Sequence, residues 1–252
     1  MATRLTDVVF DAADPPALAR FWSAALAWPI TFEDPVGVLV SPPPDDPAQA
    51  GQVALGFVPV TDPKVGKNRL HLDLPAVDQA ATVARLEGLG ARRLDIGQGP
   101  EVTWVVMADP EGNELCVVRQ DGSVGSDPAS AFGDLSPVAA IVLDTPDPDG
   151  VAPFWSAATG WPILGGDADH VWLRDPSAQG PYLDLRRNDD PKLVKVRVHL
   201  DVSPYPDGSQ PEELQRLIEA GATPTNIGQG PDVSWHVLQD PHTTELCLLT
   251  PR

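Results

Sequence analysis

Two copies of one polar pattern are the part of this sequence whose residue types and spacing best suit chemistry. Each copy runs Lys-x-x-Lys-x-Arg-x-His-x-Asp, first at Lys64, Lys67, Arg69, His71 and Asp73 and again at Lys192, Lys195, Arg197, His199 and Asp201. From the second lysine onward the polar residues alternate with others, so they share one face of an extended strand. A row of cations that ends in His-x-Asp indicates a cavity for a small molecule with an anionic or carbonyl group.

The same pattern also has a structural interpretation. The lysines could pair with acidic residues at the solvated end of the strand, and the histidine could bond a backbone carbonyl. We favour this interpretation for Lys64 and Lys192. For the arginines and histidines we leave both interpretations open.

Two tryptophans and two cysteines join this pattern as candidates. Trp104 and Trp235 lie on predicted strands near the expected cavities, and aromatic walls are common in ligand sites. Cys116 and Cys247 lie between apolar neighbours on the last strand of each half, which favours buried free thiols, and a nucleophilic role would need a nearby base. The candidate ligand-binding residues are Arg69, His71, Asp73, Trp104 and Cys116 in the first half and Arg197, His199, Asp201, Trp235 and Cys247 in the second.

The chain as a whole is a duplication. The segment Phe21-Trp22-Ser23-Ala24-Ala25 returns as Phe154-Trp155-Ser156-Ala157-Ala158, and residues 96–118 return as 227–249 with more than half of the positions identical. Such agreement indicates a repeated domain. We therefore predict two domains, 1–120 and 135–252, joined by a linker at 121–134 that is rich in glycine, serine, aspartate and proline.

Each half contains the signals of two βαβββ modules, which gives an α+β fold. Asp14-Pro15 and Asp147-Pro148 each place a capping acid before a proline at the first helical position. Short apolar strands follow, and Leu70–Leu74 is a strand with alternate faces. Trp22 and Trp155 occupy equivalent helix positions and are predicted to anchor the core. Because connections between neighbours are short, we expect modules one and two to pack side by side, although exchange between halves is an alternative.

These motifs resemble the vicinal oxygen chelate superfamily, and most closely its glyoxalase-like and bleomycin-resistance-like branch. The resemblance rests on Phe-Trp in the first helix, the His-Leu-Asp strands at 71–73 and 199–201, and the ending Asp109-Pro110-Glu111-Gly112-Asn113-Glu114-Leu115-Cys116. It implies four βαβββ modules that form two tandem glyoxalase-like half-open barrels, with the histidine strand facing each cavity. The second half reads Asp240-Pro241-His242-Thr243-Thr244 at that ending, so we expect its last hairpin to turn differently.

The resemblance also implies where a metal would be held. Metal-dependent members of the superfamily carry one ligand on each of four strands, and those positions fall at Asp7, Gly56, His71 and Cys116 in the first half and at Ala140, Asp184, His199 and Cys247 in the second. Each set keeps at most three donors, and the two sets lose different ones. Asp, His and Cys could still hold zinc with one open position. We predict neither a catalytic metal nor another cofactor.

Composition excludes several classes of function. The chain has 17 basic and 36 acidic residues, a formal charge of −19 and a pI near 4.4. Such a surface repels nucleic-acid phosphates and anionic membranes, and no apolar run approaches the ~20 residues of a membrane span. The N-terminus lacks the apolar segment of a signal peptide, and two cysteines cannot form a secreted disulfide framework. We expect a cytoplasmic protein with no nucleic-acid or membrane partner.

Three hypotheses of function remain. The first is a metal-free protein that binds a small organic molecule in a cleft; the second is a metal-dependent or metal-free lyase, isomerase or dioxygenase of the same superfamily; the third is a structural or regulatory module without a cavity. The missing carboxylate ligands weigh against the second, and the paired basic and aromatic positions weigh against the third. We adopt the first, with a small-molecule ligand as the partner, and expect either a monomer with an internal pseudo-dimer or a homodimer.

Overall fold

The structure, a computed structural model, describes residues 3–45, 51–99, 102–120, 137–230 and 232–252. Within these ranges the chain forms four modules of the predicted βαβββ order. Module 1 comprises β1 Thr3–Ala12, α1 Pro15–Leu26, β2 Ile30–Asp34, β3 Gly37–Val40 and β4 Ala54–Pro59. Module 2 comprises β5 Leu70–Ala76, α2 Gln79–Gly88, β6 Arg92–Arg93, β7 Val105–Ala108 and β8 Glu114–Arg119.

The second half repeats this order. Module 3 comprises β9 Ala140–Thr145, α3 Pro148–Thr159, β10 Ile163–Gly166, β11 His170–Arg174 and β12 Tyr182–Arg187. Module 4 comprises β13 Val198–Pro204, α4 Gln210–Glu219, β14 Thr223–Pro224, β15 His236–Gln239 and β16 Glu245–Leu248. The predicted linker at 121–134 lies outside the described residues. The four-module α+β architecture is confirmed.

The helix starts follow the predicted capping chemistry. The Asp14 carboxylate accepts a hydrogen bond from the Ala17 backbone N–H (3.0 Å), and Pro15 begins α1. The Asp147 carboxylate accepts in the same way from Gly150 (3.1 Å) at the start of α3. Each carboxylate thus partners a backbone donor that the first helical turn leaves unpaired.

The modules pair across the halves. Modules 1 and 4 form one eight-stranded sheet, sheet A, in the order β14-β15-β16-β13-β1-β4-β3-β2, and modules 2 and 3 form sheet B in the order β10-β11-β12-β9-β5-β8-β7-β6. The antiparallel pairs β1–β13 and β5–β9 join the modules at the centre of each sheet. The expectation that modules one and two pack side by side in one sheet is therefore wrong, and exchange between halves is what the chain adopts. Because the duplicated strands share one apolar pattern, local sequence cannot choose between these pairings.

Each central strand has one face toward the helices and one face away from them, here called the open face. Leu70, Leu72 and Leu74 of β5 are buried in a continuous core with the helices, while His71 and Asp73 occupy the open face. Trp22 and Trp155 are fully buried in that core, which confirms their predicted role. Period-two alternation on the strands thus separates the residues that fold the chain from those that can meet a ligand.

The two final hairpins turn in the same way, contrary to expectation. In both, the backbone N–H of an aspartate donates to the carbonyl oxygen four residues later. Asp109 donates to Asn113 and Asp240 donates to Thr244, each at 2.9 Å. Each aspartate carboxylate also accepts two backbone N–H bonds from its own turn. Thr243 adopts φ 70°, close to the φ 89° of Gly112 at the equivalent position. Glycine adopts such a positive φ with the least strain, and at Thr243 the hydrogen bonds of the Asp240 carboxylate stabilise the same turn.

No helix in the described part of the chain is both long enough and apolar enough to cross a membrane.

Candidate functional site

A cluster of three side chains forms at the centre of each open face. On sheet B, Asp73 of β5 is the register partner of Cys116 on β8, and His71 lies two residues earlier on the same face. On sheet A, Asp201 and Cys247 are partners in the same way, beside His199. In each cluster one potential metal-ligating atom per residue lies within 4.8 Å of the other two. The predicted His, Asp and Cys candidates are therefore brought together in both halves.

The two clusters have the same internal geometry. The distance from histidine Nε2 to aspartate Oδ1 is 3.4 Å in both, for His71–Asp73 and for His199–Asp201. Burial, followed by the Asp73 carboxylate, raises the pKa of the Cys116 thiol well above its usual value. Burial also raises the pKa of Cys247. Since the thiolate is the nucleophilic form, both cysteines are poor nucleophiles at neutral pH despite the nearby imidazole.

A cavity of about 120 Å³ opens above the cluster on sheet B. Its wall includes Trp104, Arg186, Lys67 and the three cluster residues, with Ile96, Gln98, Val106, Glu114, Val118 and Asp144 completing it. The Trp104 indole N–H donates to the Gln98 side-chain oxygen at 2.9 Å, which fixes the ring at the cavity edge. Nδ1 of His71 is buried and has no hydrogen-bond partner among the described residues.

Three further polar residues on sheet B belong to the same open face, and the sequence did not predict them as one site with His71. Asp184 on β12 is two strands from His71, through the register His71–Val142–Asp184. The Arg186 Nε donates to the Asp184 carboxylate at 2.8 Å, and His170 contacts the other oxygen of that carboxylate. The signal for Asp184 and Arg186 was the alternation of β12, in which Tyr182, Asp184 and Arg186 flank the buried Leu183 and Leu185. Assigning them to the His71 site required knowing that modules 2 and 3 share a sheet.

Sheet A lacks these residues at the matching positions. Gly56 takes the register position of Asp184, Val58 that of Arg186 and Gly37 that of His170. A Cβ added at Gly56 would lie 3.3 Å from a Val9 methyl, so this position is packed closely against its neighbour. The duplication has therefore produced two similar clusters in different surroundings.

Sheet A instead places a second carboxylate beside its cluster. Asp7 of β1 is the register partner of Asp201. Burial and the Asp201 charge together raise the pKa of Asp7 to about 6. Burial opposes a charge on His199, but its contacts with Cys247 and Asp201 outweigh this effect and hold its pKa well above the usual value. The cluster on sheet A thus consists of buried, coupled ionisable groups in which the Asp7 and Asp201 carboxylates repel each other.

The two candidate arginines do not join either cluster. Arg69 donates to the backbone carbonyls of Asp144 (3.3 Å) and Asp190 (2.7 Å). Arg197 donates to the Asp62 carbonyl at 2.9 Å and to the Glu111 carboxylate at 2.8 Å. Both line a larger cleft between the halves rather than the cavity above His71.

The remaining predictions have mixed outcomes. Lys64 pairs with Glu114 at 2.8 Å and Lys192 with Glu245 at 2.5 Å, which confirms the structural interpretation of these two lysines. Cys116 and Cys247 are buried and free, as predicted. Trp235 lines a separate pocket with Leu214 of α4, and its indole donates to Gln229 at 2.9 Å.

At the four positions where metal-dependent members of the resembling superfamily carry ligands, neither sheet has four donors. On sheet B they are Ala140, Asp184, His71 and Cys116; alanine has no donor, and the Asp184 carboxylate is already held by Arg186 and His170. On sheet A they are Asp7, Gly56, His199 and Cys247, of which glycine has no donor. The tighter set His71, Asp73 and Cys116 differs from that pattern and has the donor types of a three-residue zinc site.

Comparisons with known proteins agree with this architecture. A family model described as a glyoxalase-like domain matches residues 7–118 and again 140–249. The crystal structure of glyoxalase I from Zea mays superposes with a TM-score of 0.64 at 13% identity, over 99% of this chain and 92% of that one. A candidate dioxygenase from Bacillus subtilis subsp. subtilis str. 168 gives a TM-score of 0.60 at 17% identity, over 98% and 84%. A search of curated proteins found no match. At these identities the structural likeness shows the fold alone.

Proposed function

The chain belongs to the glyoxalase-like domain family, and from that premise we propose that it binds a small organic anion on the open face of sheet B without a catalytic metal. The bound group is a carboxylate or an acidic oxygen next to a carbonyl. The protein acts as a binding protein, in the cytoplasm, with its two halves as an internal pseudo-dimer or within a homodimer.

One unpaired polar atom beside the cavity carries this proposal. Nδ1 of His71 is buried without a hydrogen-bond partner among the described residues, and His71 lines the cavity. More than about 90% of buried polar groups in native proteins are paired, since an unpaired one costs about 1–3 kcal/mol. A nitrogen of a neutral imidazole either donates or accepts a hydrogen bond, so a ligand with a carbonyl or hydroxyl group would satisfy it.

The cavity wall supports an anionic and partly apolar ligand. Arg186 presents a planar guanidinium at the cavity wall, and such a group suits a carboxylate. Trp104, Val106 and Val118 supply apolar surface. The volume of about 120 Å³ is somewhat smaller than the roughly 150 Å³ of a cavity known to hold benzene, so only a small group fits.

Matched tryptophan variants test the location of the site. We expect 2-oxooctanoate, which has a carboxylate, a carbonyl and an apolar chain, to bind the protein in calorimetry and to change tryptophan fluorescence. Trp104→Phe removes indole area from the cavity wall and should weaken binding about fivefold, in keeping with roughly 1 kcal/mol for such a contact. Trp235→Phe, which changes the equivalent residue of module 4, should leave the affinity unchanged. Equal weakening by both variants would contradict the assignment to sheet B.

A zinc enzyme is the second candidate, because His71, Asp73 and Cys116 are close enough to share one ion. If bound there, zinc would supply a Lewis acid beside the cavity. Our proposal predicts otherwise, since the buried thiol resists deprotonation and the His71 Nδ1 has no acceptor to orient the ring as a ligand.

Metal analysis separates the two candidates. Protein purified without chelators and without a metal-affinity step should contain far less than one equivalent of zinc, iron, manganese or nickel per chain. Near one equivalent that disappears in His71→Ala but persists in His199→Ala would favour the zinc enzyme and overturn the metal-free proposal.

A further inference from the structure

We propose that the ligand of sheet B extends into a larger cleft between the two halves and is an elongated organic dianion, with one acidic group at Arg186 and the other in the cleft. This inference rests on the proposed function, which it makes more specific. It follows from the position, charge and surface of the cleft.

The cleft is formed by the two long connections that precede the histidine strands. Residues 60–69 and 188–197 face each other across a space of about 570 Å³, within the range of small-molecule sites. Arg69 and Arg197 hold it in shape, because each donates to a backbone carbonyl of the opposite connection, at Asp190 and Asp62. The space is therefore held open by bonds between the halves.

The cleft and the cavity of sheet B share a boundary. Lys67 and Asp144 form an ion pair, and both residues line both spaces. Asn188 of the opposite connection donates to the same Asp144 carboxylate at 2.9 Å. A ligand bound at Arg186 would therefore enter the cleft beside the Lys67–Asp144 ion pair.

Basic side chains are concentrated in the cleft to an unusual degree for this chain, and each of its lysines is paired with a carboxylate. All four lysines of a protein with net charge −19 line it, together with Arg69 and Arg197, and so do the aspartates Asp11, Asp62, Asp144 and Asp190. The ammonium groups of Lys67 and Lys195 each pair with one carboxylate, Asp144 and Asp11, and these lysine side chains are 32% and 29% exposed. An ammonium has three donors, so a single ion pair leaves capacity to bind a second anion from the cleft. A carboxylate or a phosphate would suit this position equally.

Apolar side chains also line the cleft. Val65, Leu193 and Val194 belong to the cleft wall and are 57%, 80% and 49% exposed. Exposed aliphatic residues beside cations favour a ligand whose acidic groups are separated by an apolar chain. The alternative is that the ion pairs only brace the two connections and the cleft holds solvent.

A matched pair of probes tests the proposal on the unmodified protein. The compounds 2-oxooctanoate and 2-oxooctanedioate differ only in the terminal carboxylate. A protein of charge −19 repels a dianion overall, so a preference for it requires local cations. We expect calorimetry to show roughly tenfold tighter binding of the dianion, as one charge-assisted contact at a partly exposed ammonium allows.

A paired variant then locates the second acidic group. Lys195→Gln combined with Asp11→Asn removes an ion pair of the cleft while keeping the net charge, and it should abolish the preference for the dianion. The control Arg93→Gln combined with Glu87→Gln removes an exposed pair elsewhere and should keep the preference. Comparing the affinities of two probes of the same length, one ending in a phosphate and one in a carboxylate, shows which of these acidic groups the cleft prefers.

The outcomes separate this inference from the function on which it rests. Equal binding of both compounds, with both weakened by Arg186→Gln, would overturn the extension into the cleft and leave the site on sheet B. A dianion preference that survives the Lys195 and Asp11 changes would overturn the cleft as its origin. Failure of both compounds to bind, or binding that ignores Arg186→Gln, would overturn both proposals.

Discussion

Replacing Arg186 by glutamine should weaken the binding of 2-oxooctanoate about 10- to 30-fold. Hydrogen bonds to charged groups contribute about 1.5–3 kcal/mol, and we take the lower part of that range because the Arg186 side chain is 31% exposed. Arg186→Lys keeps the charge but loses the planar two-donor geometry, so its affinity should lie between those of the wild type and the glutamine variant. Calorimetric titration of the three proteins measures the effect.

The duplication offers a matched control for this change. Val58 occupies the register position of Arg186 on sheet A. Val58→Gln should therefore leave binding unchanged, and thermal unfolding of both variants would report any loss of structure, since Asp184 keeps His170 as a neighbour when Arg186 is replaced. An affinity that responds to Val58→Gln and ignores Arg186→Gln would move the site to sheet A.

Replacing Asp7 by asparagine should stabilise the protein at pH 8 by up to about 3 kcal/mol. The pKa of Asp7 is raised from 3.8 to about 6 in the folded state, chiefly by burial and then by Asp201. The folded state is thus penalised when Asp7 is ionised, and the penalty is about 1.4 kcal/mol per pKa unit. It applies fully above pH 6 and is relieved as the pH falls through 6 toward 4. Asparagine is neutral throughout, so its advantage should shrink over that interval.

Denaturant unfolding at pH 8 and pH 4.5 measures this dependence. Asp45→Asn, at an exposed carboxylate, should change stability little at either pH. A constant difference between the wild type and Asp7→Asn at both pH values would mean that the gain comes from packing and not from the charge of Asp7.

The elements and their faces could be predicted because they depend on short-range patterns. Asp14 and Asp147 cap helices, Leu70, Leu72 and Leu74 alternate with polar residues, and Trp22 and Trp155 lie in the core. Capping needs only a carboxylate next to a free N–H, and alternation needs only an extended backbone. For the same reason, the sequence identifies His71, Asp73 and Cys116 as candidates, but it does not show that their side chains lie close together.

The failures involve long-range partners. Arg69 shares a strand face with His71, yet its guanidinium reaches the carbonyl of Asp190 in the other half and leaves the cavity. The Thr243 turn was expected to differ from that of Gly112, but the carboxylate of Asp240 supports the same conformation. In each case a bond to a distant or unrecognised partner outweighed the local preference.

The sequence by itself determined the duplication, the four βαβββ modules, the capped helices and the candidate His, Asp and Cys residues of both halves. Only the tertiary structure decided that module 2 pairs with module 3, and hence that Asp184, Arg186 and His170 share the open face with His71. Glycine and valine occupy the matching positions of sheet A. The physical reason is the repeat itself. Equivalent strands carry the same apolar pattern, so either pairing satisfies the local rules, and the choice depends on packing summed over whole sheets.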